Sequence, residues 1–567
     1  MQARGCGPNV IPVKKICTNA ENETLRQRIA RNFFSISALV LVAVVAQSAA
    51  ASDGPTAPPR IVMSGGASQL LVEGKPFLAL GGELGNSSAG TAAQADSVLP
   101  NLARMHLNMA LIPVAWEQTE PVEGQYDYSI LDHWIDVARA EHMRLGLLWF
   151  GSWKNSFSNY APDWVKKDTK RFPRALNSDG TPTEILSTFG GQTLASDSRA
   201  FAALLHHVRE KDAAQQTVVL VQVENEVGYL GRGRDRSEEA NHAFQAAVPH
   251  ALVQQLNERR LMLAPELAAH FNPQGTTWKE VFGEAANEVF MAWRYAGYIN
   301  AVAAAGKHEY ALPMYTNAQL PAEQEQPGEY PSGGPHPYYL EVYRAMAPSI
   351  DMFSPDIYWP DFAHWLNRYR IAQNPIFVPE AQLEPGAYNA LYALGEARAF
   401  GFCPFGIDSL QAGAKPAVME AYGELAGLSA ELVAAQAANH TRAIVLRAAS
   451  ARGHQMVALG GYAFEASLLR SWPSNELASK DGAILILQSG PDEFLMVGSG
   501  VTVRMSRDAD SDNHVAGIAS IEEVERTGNS WTVKSRLNGD QSNQGRQLDT
   551  DAAHFHTYRV RLYHYAR

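Results

Sequence analysis

The sequence predicts an α/β chain: a (β/α)8 barrel followed by an all-β sandwich. Three observations carry that expectation. Short apolar runs with polar tips recur eight times between residues 77 and 407, with amphipathic helical stretches between most of them. After residue 441 the pattern changes to short alternating runs separated by turn residues. Two of the eight runs also end in a glutamate, Glu226 and Glu380, and the C-terminal ends of the strands are where barrel enzymes place their chemistry.

The apolar runs show no helical period and are too short for helices. They read as strands buried on both faces of a parallel sheet. In order they are Phe77 to Leu84, Leu107 to Trp116, Arg144 to Trp149, the stretch Thr217 to Gly231 whose apolar run ends in Glu224-Asn225-Glu226, Leu312 to Asn317, Met352 to Tyr358, Pro375 to Glu380 and Ala399 to Ile407. Tyr128 to Glu141 shows a typical intervening helix, with Ile130, Leu131, Trp134, Ile135 and Ala138 on one face. Arg232 to Asn300 is long for one connection and reads as extra helices, with a well-formed one over Gly283 to Tyr298. Ala417 to Ala438 reads as helix closing the barrel. The runs that follow, from RAIVLRA to TYRVRLYHY, predict a β-sandwich of about 125 residues.

A chain of 567 residues is too long for one ordinary domain. The expected division is a secretory signal region (1–51), a loose leader (52–60), the barrel (61–438) and the sandwich (439–567). The signal expectation rests on Arg26, Arg28 and Arg31, then the apolar stretch Phe33 to Ala46, then small residues up to Ala51. That stretch is short for a membrane span. Cleavage near Ala51 removes six basic and two acidic residues, so the net charge goes from −12 to −16. A charge of that sign argues against a nucleic-acid or anionic-membrane partner. Of the three cysteines only Cys403 then remains, which excludes an intrachain disulfide and fits a bacterial periplasmic or secreted enzyme. No cysteine or histidine spacing suggests zinc, so no metal and no cofactor is expected. The oligomeric state is left open, a dimer included.

Two carboxylates at two strand ends are what glycoside hydrolysis requires. Strands four and seven face each other across a barrel mouth, which would bring Glu226 and Glu380 together. Asn225 is placed to donate to a sugar 2-OH, which makes Glu226 the acid/base and Glu380 the nucleophile. Tyr358 ends the sixth run and could donate to Glu380. Glu224 competes with Glu226, because period two puts both on one side of the strand. Glu226 lies nearer the mouth, and Glu224 reads as a deeper support.

The stretch QVENEVG (Gln222 to Gly228) resembles the signature of glycoside hydrolase family 35, the β-galactosidases of clan A. In that motif the Glu after Asn is the acid/base, which carries over to Glu226. Met109 to Tyr128 resembles a second-strand segment shared by families 35 and 42, with Trp116, Glu120-Pro121, Gly124 and Asp127 matching. Gly82-Glu83-Leu84 resembles the family's first-strand motif, which points to Glu83 as a substrate contact. The resemblance covers about residues 61 to 425 and implies an exo-acting retaining β-galactosidase with a carbohydrate substrate. Two segments depart from it. Gly85-Asn86 replaces His-Tyr, and Trp149 to Asn155 (WFGSWKN) replaces PGPYICAEW. Sugar recognition is therefore expected from Asn86, Trp153 and Asn155, with Trp116, Trp359 and Asn317 as further candidates. His106 and His336 read as structural. Another clan A specificity, such as a β-xylosidase, arabinosidase or galactanase, and an inactive sugar-binding barrel are the competing readings.

Overall fold

The computed structural model describes residues 57–566 except 232, 323, 372, 411–415, 450–452 and 509–513. The secretory signal expected over residues 1–51 lies outside the described residues. Within the expected leader, the Ala57 carbonyl accepts a hydrogen bond from Gln216 Nε2 (2.9 Å), and Arg60 opens a strand. Regular structure therefore begins earlier than its Pro-rich composition suggested.

Eight parallel strands form the barrel: Ala79–Glu83, Met109–Ala115, Arg144–Lys154, Val218–Asn225, Met314–Gln319, Met352–Ile357, a split seventh strand, and Gly401–Phe402. The seventh consists of Phe377–Val378 and Glu380–Ala381. Pro379 between them has no N–H to donate to a ladder, so the strand breaks there. Its first half pairs with the eighth strand (Phe377 with Gly401), and its second half with the sixth (Asp356 with Glu380). The eighth pairs with the first (Gly401 with Ala79), which closes the circuit. Each observed strand falls on one of the eight expected runs. Two run longer than expected: the third continues to Lys154 where the apolar pattern had suggested an end at Trp149, and the fifth continues to Gln319, two residues past Asn317.

Strand alternation sorts the side chains into two layers. Leu111, Leu148, Tyr315, Met352 and Phe377 fill the interior, and Leu70 and Val72 from an antiparallel N-terminal sheet (Arg60–Ser64, Ala67–Val72, Lys75–Phe77) join that cluster. Ala110, Ile112, Leu147, Val221 and Val223 face outward into the helices. The long connection after the fourth strand carries four short helices before Ala286–Glu309, which packs on Gly191–Asp212. Residues 417–437 form two helices, Ala417–Gly427 and Ser429–Ala437, rather than one.

The C-terminal strands form a six-stranded and a four-stranded sheet. Two strands of the six-stranded sheet, Asp481–Gly490 and Glu493–Ser499, are buried on both faces by alternation, whereas Ser530–Leu537 at its edge is largely exposed. Along Asp481–Gly490, Ala483, Leu485 and Leu487 join the barrel's helical core, while Ile484 and Ile486 join the core between the two sheets. Leu495 and Val497 against Phe494 and Met496 repeat the pattern on the next strand. Each such buried side chain contributes about 1.5–3 kcal/mol. Thr56–Arg567 accordingly forms one compact unit.

Truncating Leu485 to Ala should open a cavity in this seam and cost about 2–5 kcal/mol. Thermal denaturation followed by circular dichroism should show a lowered midpoint with barrel and sheets still unfolding together. A C-terminal transition that separates from the barrel's in the wild type would contradict the shared core.

Candidate active site

Three features of the fourth strand's end shape the site. The strand is buried and, Gln222 apart, apolar up to Val223, then delivers Glu224-Asn225-Glu226. Both Glu224 (φ 60°) and Glu226 (φ 44°) adopt left-handed backbone, which costs on the order of 1–3 kcal/mol each in residues of this type. This breaks the alternation that would have left the two carboxyls side by side. Glu224 turns into the layer between sheet and helices, where its Oε2 accepts from Trp153 N (2.8 Å). Glu226 turns into the barrel mouth.

The third strand matches this distortion. Trp149 pairs with Val223 and Lys154 with Asn225, so five steps on one strand oppose two on the other. The extra residues form a bulge that Asp197 and Glu224 hold from behind. Asp197, on the helix Gly191–Asp212, accepts from Trp149 Nε1 (2.9 Å), Ser152 Oγ (2.5 Å) and Tyr298 OH (3.1 Å). Burial and the neighbouring Asp197 hold the Glu224 carboxyl well above the usual range, so it meets Asp197 as an acid. Beyond the bulge, Asn155 (φ 49°) and Ser156 (φ 67°) reverse the chain. Asn155 Nδ2 donates to Glu226 Oε2, and Lys154 Nζ donates to Asn155 Oδ1 (2.5 Å).

One carboxyl oxygen each from Glu226, Asp356 and Glu380 lie within 4.8 Å of one another. All three residues are buried. Asn317 bridges two of them: its Oδ1 accepts from Glu226 N (2.9 Å), and its Nδ2 donates to Asp356 Oδ2 (2.6 Å). Tyr358 OH donates to Glu380 Oε1. Glu83 lies against Glu380, fully buried, and neither of its oxygens meets an N–H or O–H donor. Burial and the Glu380 charge raise its pKa well above the ordinary value, so Glu83 faces Glu380 as an acid and donates its own proton. Glu380 is raised by burial and held down by Lys154 and by these two donors. Glu226 is pushed up to about 7, first by burial and then by Glu380. Asn225 accepts weakly from Asn155 N (3.4 Å), while its Nδ2 is buried without a protein partner. The three clustered carboxyl oxygens are the atoms that could hold a hard cation, but the Lys154 ammonium already lowers the pKa of Glu226 and Glu380.

The structure therefore groups Glu226, Glu380, Asn225, Glu83, Asn155, Asn317 and Tyr358. Trp359 sits at the rim, partly exposed, its Nε1 donating to Leu320 O (3.2 Å). Asn86 follows the first strand, and its Oδ1 is buried without a hydrogen-bond partner. Two expectations are corrected. Trp116 is fully buried among Trp149 and Trp164, and its Nε1 donates to Glu120 Oε2 (2.7 Å). Glu120 also accepts from Gly124 N (2.7 Å), so the matching tryptophan, glutamate and glycine tie a structural knot. Trp153 is likewise fully buried against Tyr295 and Tyr298, with its Nε1 on Leu186 O (3.1 Å). Large apolar rings packed this way cannot stack on a sugar. Lys154 was missed, because a lysine next to an apparent strand end reads as solvated; only its burial reveals its role. His336 is buried and neutral, its Nε2 donating to Pro331 O (2.7 Å), and is structural as expected.

Residues 91–262 match the glycoside hydrolase 42 model, described as Beta-galactosidase, and residues 418–549 match a domain of unknown function, DUF5597. No curated protein matches the chain. Among solved structures it is similar to a β-galactosidase from the psychrophilic Marinomonas ef1, at 12% identity and TM-score 0.42, covering 62% of this chain and 60% of that one. A β-galactosidase from Rahnella sp. R3 aligns at 15% identity and TM-score 0.38, over 58% of this chain and 50% of that one. A β-mannanase from the blue mussel Mytilus edulis aligns at 12% identity and TM-score 0.37, over 63% and 93%. The chain thus spans only about 60% and 50% of the two β-galactosidases. Residues 91–262 of the barrel thus match a glycoside hydrolase model, of family 42 and not of the expected family 35. The physical reason is that QVENEVG is a short likeness at a strand end, whereas the third-strand segment already departs from family 35.

Two measurements follow. Glu224→Gln keeps an acceptor for Trp153 N and a donor for Asp197, so its turnover should stay within a few-fold of wild type, whereas Glu226→Gln should lose several orders of magnitude on unactivated glycosides; equal losses would contradict the division of roles. Glu226 must be protonated to act as an acid, so turnover should fall as pH rises through about 7. Lys154→Met removes the charge that lowers both Glu226 and Glu380, so both limbs of the pH–rate profile should move to higher pH.

Proposed function

We propose that the protein is a retaining exo-β-galactosidase that removes terminal β-galactosyl residues from oligosaccharides by double displacement. The observation that carries the reading is the approach of Glu226 and Glu380, whose nearest oxygens lie within 4.8 Å. Retaining enzymes hold their carboxyls about 5–5.5 Å apart, and inverting ones about 6.5–9.5 Å to admit a water. The family 42 match over residues 91–262 supports the sugar.

In this reading Glu380 attacks the anomeric carbon while Glu226 gives its proton to the departing oxygen. Tyr358 and Glu83 share the charge of Glu380 before attack and release it as the glycosyl–enzyme bond forms. Asn225 Nδ2, without a protein partner, is free to donate to the sugar 2-OH, a bond that strengthens in the transition state. Glu226 then takes a proton from the incoming water, which attacks the anomeric carbon and frees Glu380.

A second reading within clan A is a different terminal sugar. It is favoured by the third-strand turn, where Lys154 and Asn155 stand in place of the family 35 segment. A panel of aryl β-glycosides decides between them: faster turnover of the xyloside or arabinoside than of the galactoside would replace galactose in the proposal. We further infer export to the periplasm or medium, on the strength of residues 26–51; N-terminal sequencing of the mature protein from a cell-envelope fraction would locate the cleavage.

Glu380→Gly should abolish turnover, and azide should restore part of it as the α-glycosyl azide. Proton NMR of the first product of the wild type should show the β-anomer. An initial α-anomer would rule out double displacement.

A further inference from the structure

We propose that a cavity beside the third-strand turn is a subsite for the leaving-group portion of an oligosaccharide, which makes the natural substrate a chain of at least three sugars. The inference rests on the glycosidase reading of Glu226 and Glu380 and extends it to the other side of the scissile bond.

The turn itself supplies the geometry. Lys154 and Phe157 pair across it, with Lys154 N donating to Phe157 O (2.8 Å) and Phe157 N donating to Lys154 O (3.1 Å). Asn155, at its tip, reaches the carboxyl of Glu226. Two residues later, Phe157 is 43% exposed and lines a cavity of about 660 Å³. Two residues of chain span at most about 7 Å, so the Phe157 backbone lies no further than that from the backbone of Asn155, whose side chain meets Glu226. Glu226 is the group that protonates the leaving oxygen, so whatever lies on its side of the bond faces the leaving group.

The lining matches a saccharide. Phe157 offers an exposed ring face, and Asn159, Thr183 and Glu184 offer polar groups around it. Arg174 donates from Nη2 to Lys166 O (3.3 Å), which leaves further guanidinium N–H groups for a ligand. An exposed aromatic ring with a few convergent polar groups, in a volume between about 300 and 1,000 Å³, is the usual form of a small-ligand site. The cavity is lined wholly by residues between the third strand and the helix Gly191–Asp212. That stretch begins just after Trp149 to Asn155, the segment in which this chain departs from the family 35 pattern.

The test compares a substrate that reaches the cavity with one that does not. kcat/KM is measured on 4-nitrophenyl β-galactoside and on β-1,4-linked galactobiose, galactotriose and galactotetraose. In the wild type kcat/KM should rise about tenfold beyond the disaccharide. Phe157→Ala and Asn159→Ala, both at exposed positions, should erase that rise and leave the nitrophenyl substrate within about twofold. Arg174→Met should do the same. A wild type that turns over the nitrophenyl galactoside with no dependence on chain length would overturn the subsite and leave the reaction standing, as would variants that lose both activities equally. No turnover of any of these galactosides would overturn the galactosidase reading, and the subsite with it.

Discussion

Everything at the barrel mouth depends on four buried carboxyls and one buried ammonium packed close together. Glu83, Glu226, Asp356 and Glu380 are each at most 5% exposed, and Lys154 is buried beside them. Four ionised carboxylates so close could not coexist at that burial, since like charges and desolvation both favour the protonated form. The ammonium offsets about one negative charge, and the remaining acids must hold protons. Proton placement is therefore set by hydrogen bonding. Tyr358 and Glu83 donate to Glu380 and keep its charge, while burial and the Glu380 charge keep the proton on Glu226. Acid and nucleophile are distinguished by their neighbours, not by their residue type, which is glutamate in both.

The fold bears a conformational cost for this. Four non-glycine residues at the site, Asn155, Ser156, Glu224 and Glu226, have left-handed backbone. They sit where a third strand with three surplus residues meets the end of the fourth. The buried network of Glu224, Asp197, Ser152 and Tyr298 holds the bulge in place through hydrogen bonds to Ser152 and to the Trp153 backbone N–H. Without it the bulge could relax, and Lys154 and Asn155 would leave the carboxyls. The helix layer therefore takes part in the site although none of its residues faces substrate.

Much of this was legible in the sequence because it follows from period and position. Eight apolar runs gave eight strands, and glutamates at the ends of the fourth and seventh could meet only across the mouth of a closed barrel. The C-terminal sheets announced themselves by alternation, although His514–Thr527, with its glycine and interspersed charges, shows no clean period and was not anticipated as a strand. What failed were inferences about which way a side chain points. Trp116 and Trp153 are the residue type that stacks on sugars, but pattern cannot tell a ring at the mouth from one packed behind the sheet. Lys154 failed for the converse reason, because its burial is a property of the bulge, and the bulge arises from two strands distorted together. Alternation likewise could not separate Glu224 from Glu226, since their divergence depends on backbone that leaves the β region at those residues.

The division between what was legible and what was not follows the division of labour in the barrel. Glu226 and Glu380 come from strand ends whose position is fixed by closure of the sheet, so any sequence that closes this barrel presents them in much the same place. Lys154, Asn155 and Phe157 come from a bulge and a turn, which can change length or residue without reopening the sheet. The chain departs from the family 35 pattern at Lys154 and Asn155 of the second set and keeps Asn225 and Glu226 in the first. A chain altered in this way would keep the reaction while changing which sugar enters and what the sugar leaves behind. The same turn that brings an amide to the acid/base also opens the wall of the neighbouring cavity, so a change there would alter recognition on both sides of the bond at once.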